Sequence, residues 1–206
     1  MKRRPAAFGL SIGMIAGSLV ACGSESPEPA AAAMVDAPRE VVDSIFPIEE
    51  ELRRFRALLG PEPVGLSGGS GSLDSLLDRF VRAVTAADTA AFADLLMTRD
   101  EFGWLYYPTT RFTSRPYELA PGMVWFQIEN GTSQGLSRLL TRLGGRPLEV
   151  TAHKCPSEPR AEGRNRIWEG CTVQIDRREG RLDASLFGSI LERDGVFKFV
   201  SYTNGF

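Results

Sequence analysis

A single histidine, three cysteines and no lysine directly following its glycine-rich segment deprive this 206-residue chain of several chemistries. His153 stands beside widely spaced acids and cannot gather the three or four close ligands of a metal centre, so no metal and no cofactor are expected. The glycines at 65–71 precede a helix start whose free amides could hold an anion, but the lysine of a phosphate loop is missing. Charge of one sign is lacking too: 24 basic residues face 26 acidic ones, a net of −2. Residues 1–21 carry three basic residues and no acids, so a chain without them would stand at −5. A mildly acidic protein is a poor partner for nucleic acid.

Long apolar runs are also scarce. The longest, Ala6 to Val20, follows Lys2-Arg3-Arg4 and is broken by Gly9, Ser11, Gly13, Gly17 and Ser18. A membrane-spanning helix needs about 20 apolar residues, so this shorter run reads as a cleavable export signal. It closes on Leu19-Val20-Ala21-Cys22, and these four residues resemble the lipobox of bacterial lipoproteins. The resemblance implies diacylglyceryl transfer to the Cys22 thiol, cleavage before it and acylation of the new amino terminus, with palmitate among the chains. Each buried methylene adds about 0.8 kcal/mol, so several chains on one residue anchor firmly. Ser24 stands where the family's inner-membrane retention signal would be Asp, which points to the outer membrane, facing the periplasm. Lipidation of Cys22 leaves Cys155 and Cys171 as an even pair in an oxidising compartment, and a disulfide is the simplest use of them.

Behind the signal (1–21), residues 22–38 contain Ser-Pro-Glu-Pro and an Ala run without apolar period, the composition of a flexible tether. Residues 39–60 predict an amphipathic helix. Ile48, Leu52, Phe55 and Leu59 recur at helical spacing, Pro47 suits the first turn, and Glu49–Glu51 precede Arg53, Arg54 and Arg56 in the sense the helix dipole favours. Residues 61–71, rich in Gly, Ser and Pro, predict a second flexible joint. Its Gly65-Leu66-Ser67-Gly68-Gly69 matches the hydrolase nucleophile-elbow pattern literally. Pro61 and Pro63 occupy the place of the strand that an elbow requires, so the match is rejected.

The remaining length, 72–206, suits one α+β domain. Ser72 caps a helix with a stripe of Leu73, Leu76, Leu77, Phe80, Val81 and Val84, Asp88 starts a short second helix, and Thr132–Leu143 predicts a third ended by Gly144. The sequon-like Asn130-Gly-Thr132 is read as that helix's cap. From Leu148 the apolar period becomes two, predicting four antiparallel strands: Leu148–Ala152, Ile167–Ile175, Leu182–Leu186 leading to Ile190, and Phe197–Phe199. Asp194-Gly195 and Arg177–Gly180 are the turn signals. If the first hairpin is centred on Gly163, Cys155 faces Cys171 across a long tip loop and His153 faces Val173.

Two helices, the aromatic segment Phe102–Pro108, a third helix and an antiparallel meander resemble, in order and spacing, the NTF2-like (SnoaL-like) cone. Phe80-Val81-Arg82-Ala83-Val84-Thr85-Ala86-Ala87-Asp88-Thr89-Ala90-Ala91-Phe92 looks like that superfamily's first helix, bend and second helix. The resemblance implies helices packed on a curved antiparallel sheet around a cavity, and dimerisation through the open sheet face as a family-level expectation. It does not settle function. Trp104, Tyr106, Tyr107, Trp125 and Trp168, with Phe126, could line an apolar pocket or simply fill a core. A cavity isomerase, cyclase or hydrolyase would need His153, Glu101 or Asp94 as its proton-transfer group beside Tyr106 or Tyr107. No catalytic constellation appears, so the favoured reading is a non-enzymatic, lipid-anchored module for an unknown small molecule or envelope protein. Arginines such as Arg111, Arg160 and Arg164 crowd the second half. They could suit carboxylates, anionic headgroups or an acidic partner, although acids interleave with them and most read as a solvated face.

Overall fold

The structure, a computed structural model, describes residues 46–177 and 180–205, all within the unit Ser44–Phe206. The export signal, Cys22, the tether and the expected start of the first helix lie outside the described residues, as does the tip of the turn at 178 and 179.

Five α-helices are seen among the described residues: α1 (Ile48–Arg56), α2 (Leu73–Ala86), α3 (Thr89–Leu95), α4 (Arg99–Glu101) and α5 (Pro121–Leu143). Pro47 precedes α1, where its missing N–H costs nothing. Arg53 and Arg54 both donate to the Glu50 carboxylate, at 2.6 and 2.7 Å. The Ser72 hydroxyl accepts from Ser75 N–H at the start of α2, and the Asp88 carboxylate accepts from Ala90 and Ala91 N–H at the start of α3. Thr98 and Glu101 form a reciprocal capping box on α4. The aromatic segment continues α4 as one π-helical turn, Phe102–Tyr106, and then as 3-10 turns, Tyr107–Thr109 and Arg111–Thr113.

Helix α5 begins eleven residues before the Thr132 expected from periodicity, so Asn130 lies inside the helix and caps nothing. Its amide oxygen accepts from Gln134 one turn on. Gly122, Gly131 and Gly135 disfavour helix on propensity alone, which hid the early start. Gly135 is required by packing: a Cβ there would overlap the Tyr202 carbonyl oxygen, while Asn204 Nδ2 donates to the Gly135 carbonyl at 2.8 Å. The helix ends before Gly144, as expected.

Among the described residues the four expected strands are seven, in two antiparallel sheets that do not close into a barrel. One sheet has the order β1-β4-β5, with β1 (Val150–Lys154), β4 (Thr172–Arg177) and β5 (Gly180–Ala184). The other has the order β2-β3-β6-β7, with β2 (Arg160–Glu162), β3 (Asn165–Trp168), β6 (Ile190–Arg193) and β7 (Val196–Phe199). The expected run Ile167–Ile175 is cut into β3 and β4 at Glu169–Cys171, where Gly170 takes φ +72°, and the run from Leu182 to Ile190 is cut between β5 and β6. Pairing carries across both cuts. Trp168 faces Ile190 on one side and Val173 faces Ala184 on the other, a register continuous to within one residue. The two sheets are therefore halves of one long bent meander. His153 faces Val173, and Asp194-Gly195, both at positive φ, form the β6–β7 turn as expected. The Cys155–Cys171 disulfide is present, with Cα atoms 4.2 Å apart. It sits at the bend, and the expected tip loop between its cysteines contains the β2–β3 hairpin.

Two cores fill the layers. Phe80 of α2, fully buried, meets Phe92, Phe187, Phe199 and Tyr202 with ring centroids 5.3–6.0 Å away. Truncating such a side chain to Ala typically costs about 3–5 kcal/mol. The second core joins Phe55, Phe102, Tyr106, Tyr107 and Trp125 to Ile167, Leu191 and Val200 of the four-stranded side. Thus α1 packs on the body through Phe55, whose approach needs Gly103: a Cβ there would stand 2.9 Å from Phe55 Cε1.

Residues 61–71 contain no helix or named strand, yet they are fastened rather than a loose joint. Ser70 exchanges backbone hydrogen bonds with Phe197, and Gly69 N–H donates to the Asp94 carbonyl. Arg79 donates to the Gly69 carbonyl and pairs with Asp94 at 2.6 Å.

Candidate functional site

The candidate proton-transfer groups separate. Glu101 is buried in an ion pair with Lys198, Oε2 to Nζ 2.9 Å, and both side chains are at most 2% exposed. Ser67 N–H (2.6 Å) and Ser67 Oγ–H (3.1 Å) donate to Glu101 Oε1, Thr98 N–H donates to Oε2, and Lys198 Nζ also donates to the Ser67 carbonyl. A carboxylate this fully engaged has no lone pair free to take a substrate proton. It staples segment 61–71 to α4 and β7, and the elbow-like Ser67 serves that staple. Asp94 is held by Arg79 on the surface. His153 lies on β1 in an open groove facing α2, 3.5 Å from Asp74 Oδ1, whose side chain is 82% exposed. The lining of that groove contains no Phe, Tyr or Trp. Among the described residues no group of three or more His, Cys, Asp or Glu could hold a metal ion.

The five candidate pocket aromatics do not share one cavity. Trp104 sits in a shallow groove beside α1, its Nε1 donating to the Gly60 carbonyl and its ring 4.3 Å from the Arg56 guanidinium. Trp168 packs on Phe197 in the sheet. Tyr107 is fully buried and donates its hydroxyl to the Leu119 carbonyl at 2.7 Å, and burial pushes its phenol up to about 12. Trp125 stacks toward Phe102 and borders an apolar groove of about 470 Å³ with Leu96, Met97 and Ile128, its Nε1 buried without a partner. Phe126, by contrast, is exposed on α5.

Tyr106 alone reaches a cleft whose polar groups converge. The cleft holds about 200 Å³ and lies where the two sheets part. Arg160, Glu169, Ser189 and Val200 reach it from the same end of β2, β3, β6 and β7, and Val124, Gln127 and Ile128 of α5 form the opposite wall. Arg111 and Phe112, from the last 3-10 turn, complete it. Tyr106 is 5% exposed as a residue; its hydroxyl makes no hydrogen bond among the described residues and is not sealed from solvent, so it opens on the cleft. Burial raises its pKa, and the charges acting on it, Arg160, Glu169 and Arg111, all line the cleft. The phenol therefore stays protonated and presents a donor to the cleft. Periodicity gave no hint of this cleft, because residues from the 3-10 turn, β2 and residues 200–203 meet only through the bend. No family model, curated protein or solved structure matches the chain.

Proposed function

We propose that the chain is a lipid-anchored envelope protein, tethered through Cys22 to the outer membrane and facing the periplasm, whose NTF2-like body binds a small molecule without transforming it. The observation that carries the binding reading is the cleft under the bend, into which the Tyr106 hydroxyl opens among polar groups and an apolar wall. Its position, between a bent antiparallel meander and a long helix, supports the cone reading. The engagement of Glu101 by Lys198 and of Asp94 by Arg79, and the open setting of His153, favour binding over catalysis. A disulfide at the bend suits an oxidising compartment.

Native mass spectrometry of the full protein, released in detergent from its own membranes, tests this reading. The expected spectrum shows a non-covalent adduct that the Tyr106→Phe variant loses. A spectrum without an adduct, or an adduct equally abundant in Tyr106→Phe, contradicts it.

A further inference from the structure

Building on the reading of this cleft as the binding site, we propose that its ligand is a small organic anion: a carboxylate on an apolar body, its oxygens received by the Tyr106 hydroxyl and the Arg111 guanidinium.

Three observations carry the assignment. The first is donor chemistry. The Tyr106 hydroxyl makes no hydrogen bond among the described residues and opens on the cleft, where it offers a donor to a ligand's acceptor. The second is charge. Arg160 is matched by two carboxylates, Glu162 and Glu169, the latter at 2.9 Å. Arg111 has no acidic partner among the described residues; its guanidinium lies only over the rings of Phe112 and Tyr117, at 5.6 and 5.4 Å. The lining itself carries Arg111 and Arg160 against the single acid Glu169, and Arg111, the cation there without an acidic partner among the described residues, is exposed, so a ligand's charged end keeps contact with water while its body enters. The third is shape. Phe112, Val124, Ile128 and Val200 supply the apolar wall, and about 200 Å³ falls below the range of about 300–1,000 Å³ that takes drug-sized ligands, so the body is small. An amine is disfavoured on charge, since it would meet the guanidinium of Arg111 while Glu169, the acid that lines the cleft, is paired with Arg160.

Equilibrium dialysis of the full protein in detergent against radiolabelled benzoate, benzyl alcohol and benzylamine decides the matter. Benzoate should be retained and benzylamine excluded. Retention of benzoate should fall about tenfold or more in Tyr106→Phe and in Arg111→Gln, and hold in Arg164→Gln, a control at the opposite end of the same strands, with melting curves of all three variants matching the parent. Benzylamine or benzyl alcohol retained as well as benzoate would overturn the anion assignment and leave the cleft a binding site. Retention of none of the three would overturn both, and benzoate retained equally by Tyr106→Phe would place the anion elsewhere and refute the assignment.

Discussion

Lys198 and Glu101 are a pair in which neither member can be removed alone at small cost. Taking away the amine leaves a carboxylate at 2% exposure with only neutral donors, and an uncompensated buried charge typically costs about 3–5 kcal/mol. Lys198→Met is therefore expected to lower unfolding free energy by about that amount in urea titration. Adding Glu101→Leu should cost far less than the sum of the single changes, because the two side chains share one network. The sequence shows why the pair was half legible. Glu101 stands out as an acid beside aromatics and invites a catalytic reading. Lys198 looks like the outward member of an alternating strand, Val196–Phe199, and its burial depends on segment 61–71 folding over it. A glycine gives a second test at this scale. Gly135→Ala should destabilise despite alanine's better helix propensity, since its Cβ would meet the Tyr202 carbonyl oxygen, whereas Gly122→Ala on the same helix meets nothing within 4 Å and should be neutral or stabilising. Thermal melts of the two variants should move in different directions.

Among the elements, those with local signals were readable. Ser72 and Asp88 start their helices, Gly144 follows the end of α5, and Asp194-Gly195 turns β6 into β7. The first half of α5 was not, because Gly122 and Gly131 weaken its propensity and the exposed Met123 and Phe126 blur its apolar stripe. Nor was the division of the meander: an alternating pattern shows which residues face inward and does not show where a sheet bends. The disulfide sits at that bend, so its loss should be felt as element detachment. Closing a loop with a sequence separation of 16 corresponds in the chain-entropy model to about 3 kcal/mol, and Cys155→Ser/Cys171→Ser should lose roughly that stability in denaturant titration. Helix α1 carries a pH signature. Hydrogen bonds from Arg53 and Arg54 hold the Glu50 carboxyl well below its ordinary 4.5, at about 2. A lowered acid supports the folded form fully above the ordinary value and withdraws that support as pH falls toward 2. Amide exchange in α1, corrected for intrinsic rate, should therefore quicken between pH 4.5 and 2 in the parent, and the change should vanish in Glu50→Gln.

On the scale of the whole molecule, the described body contains no helix long and apolar enough to cross a membrane. Under the proposal of export and lipidation at Cys22, the cleft faces periplasmic solutes. Legibility was uneven at this level too. The α+β class followed from the change of period near residue 148, while the Tyr106 cleft, assembled by a bend, was invisible because its parts lie 97 positions apart, from Tyr106 to Thr203. The central claim is that this body is exported and held to a membrane by fatty acids on one sulfur. Metabolic labelling with a tagged palmitate tests it most directly. The account predicts that label enters the parent protein and is absent from Cys22→Ala; a parent that takes no label, or a Cys22→Ala protein labelled as strongly, would contradict it.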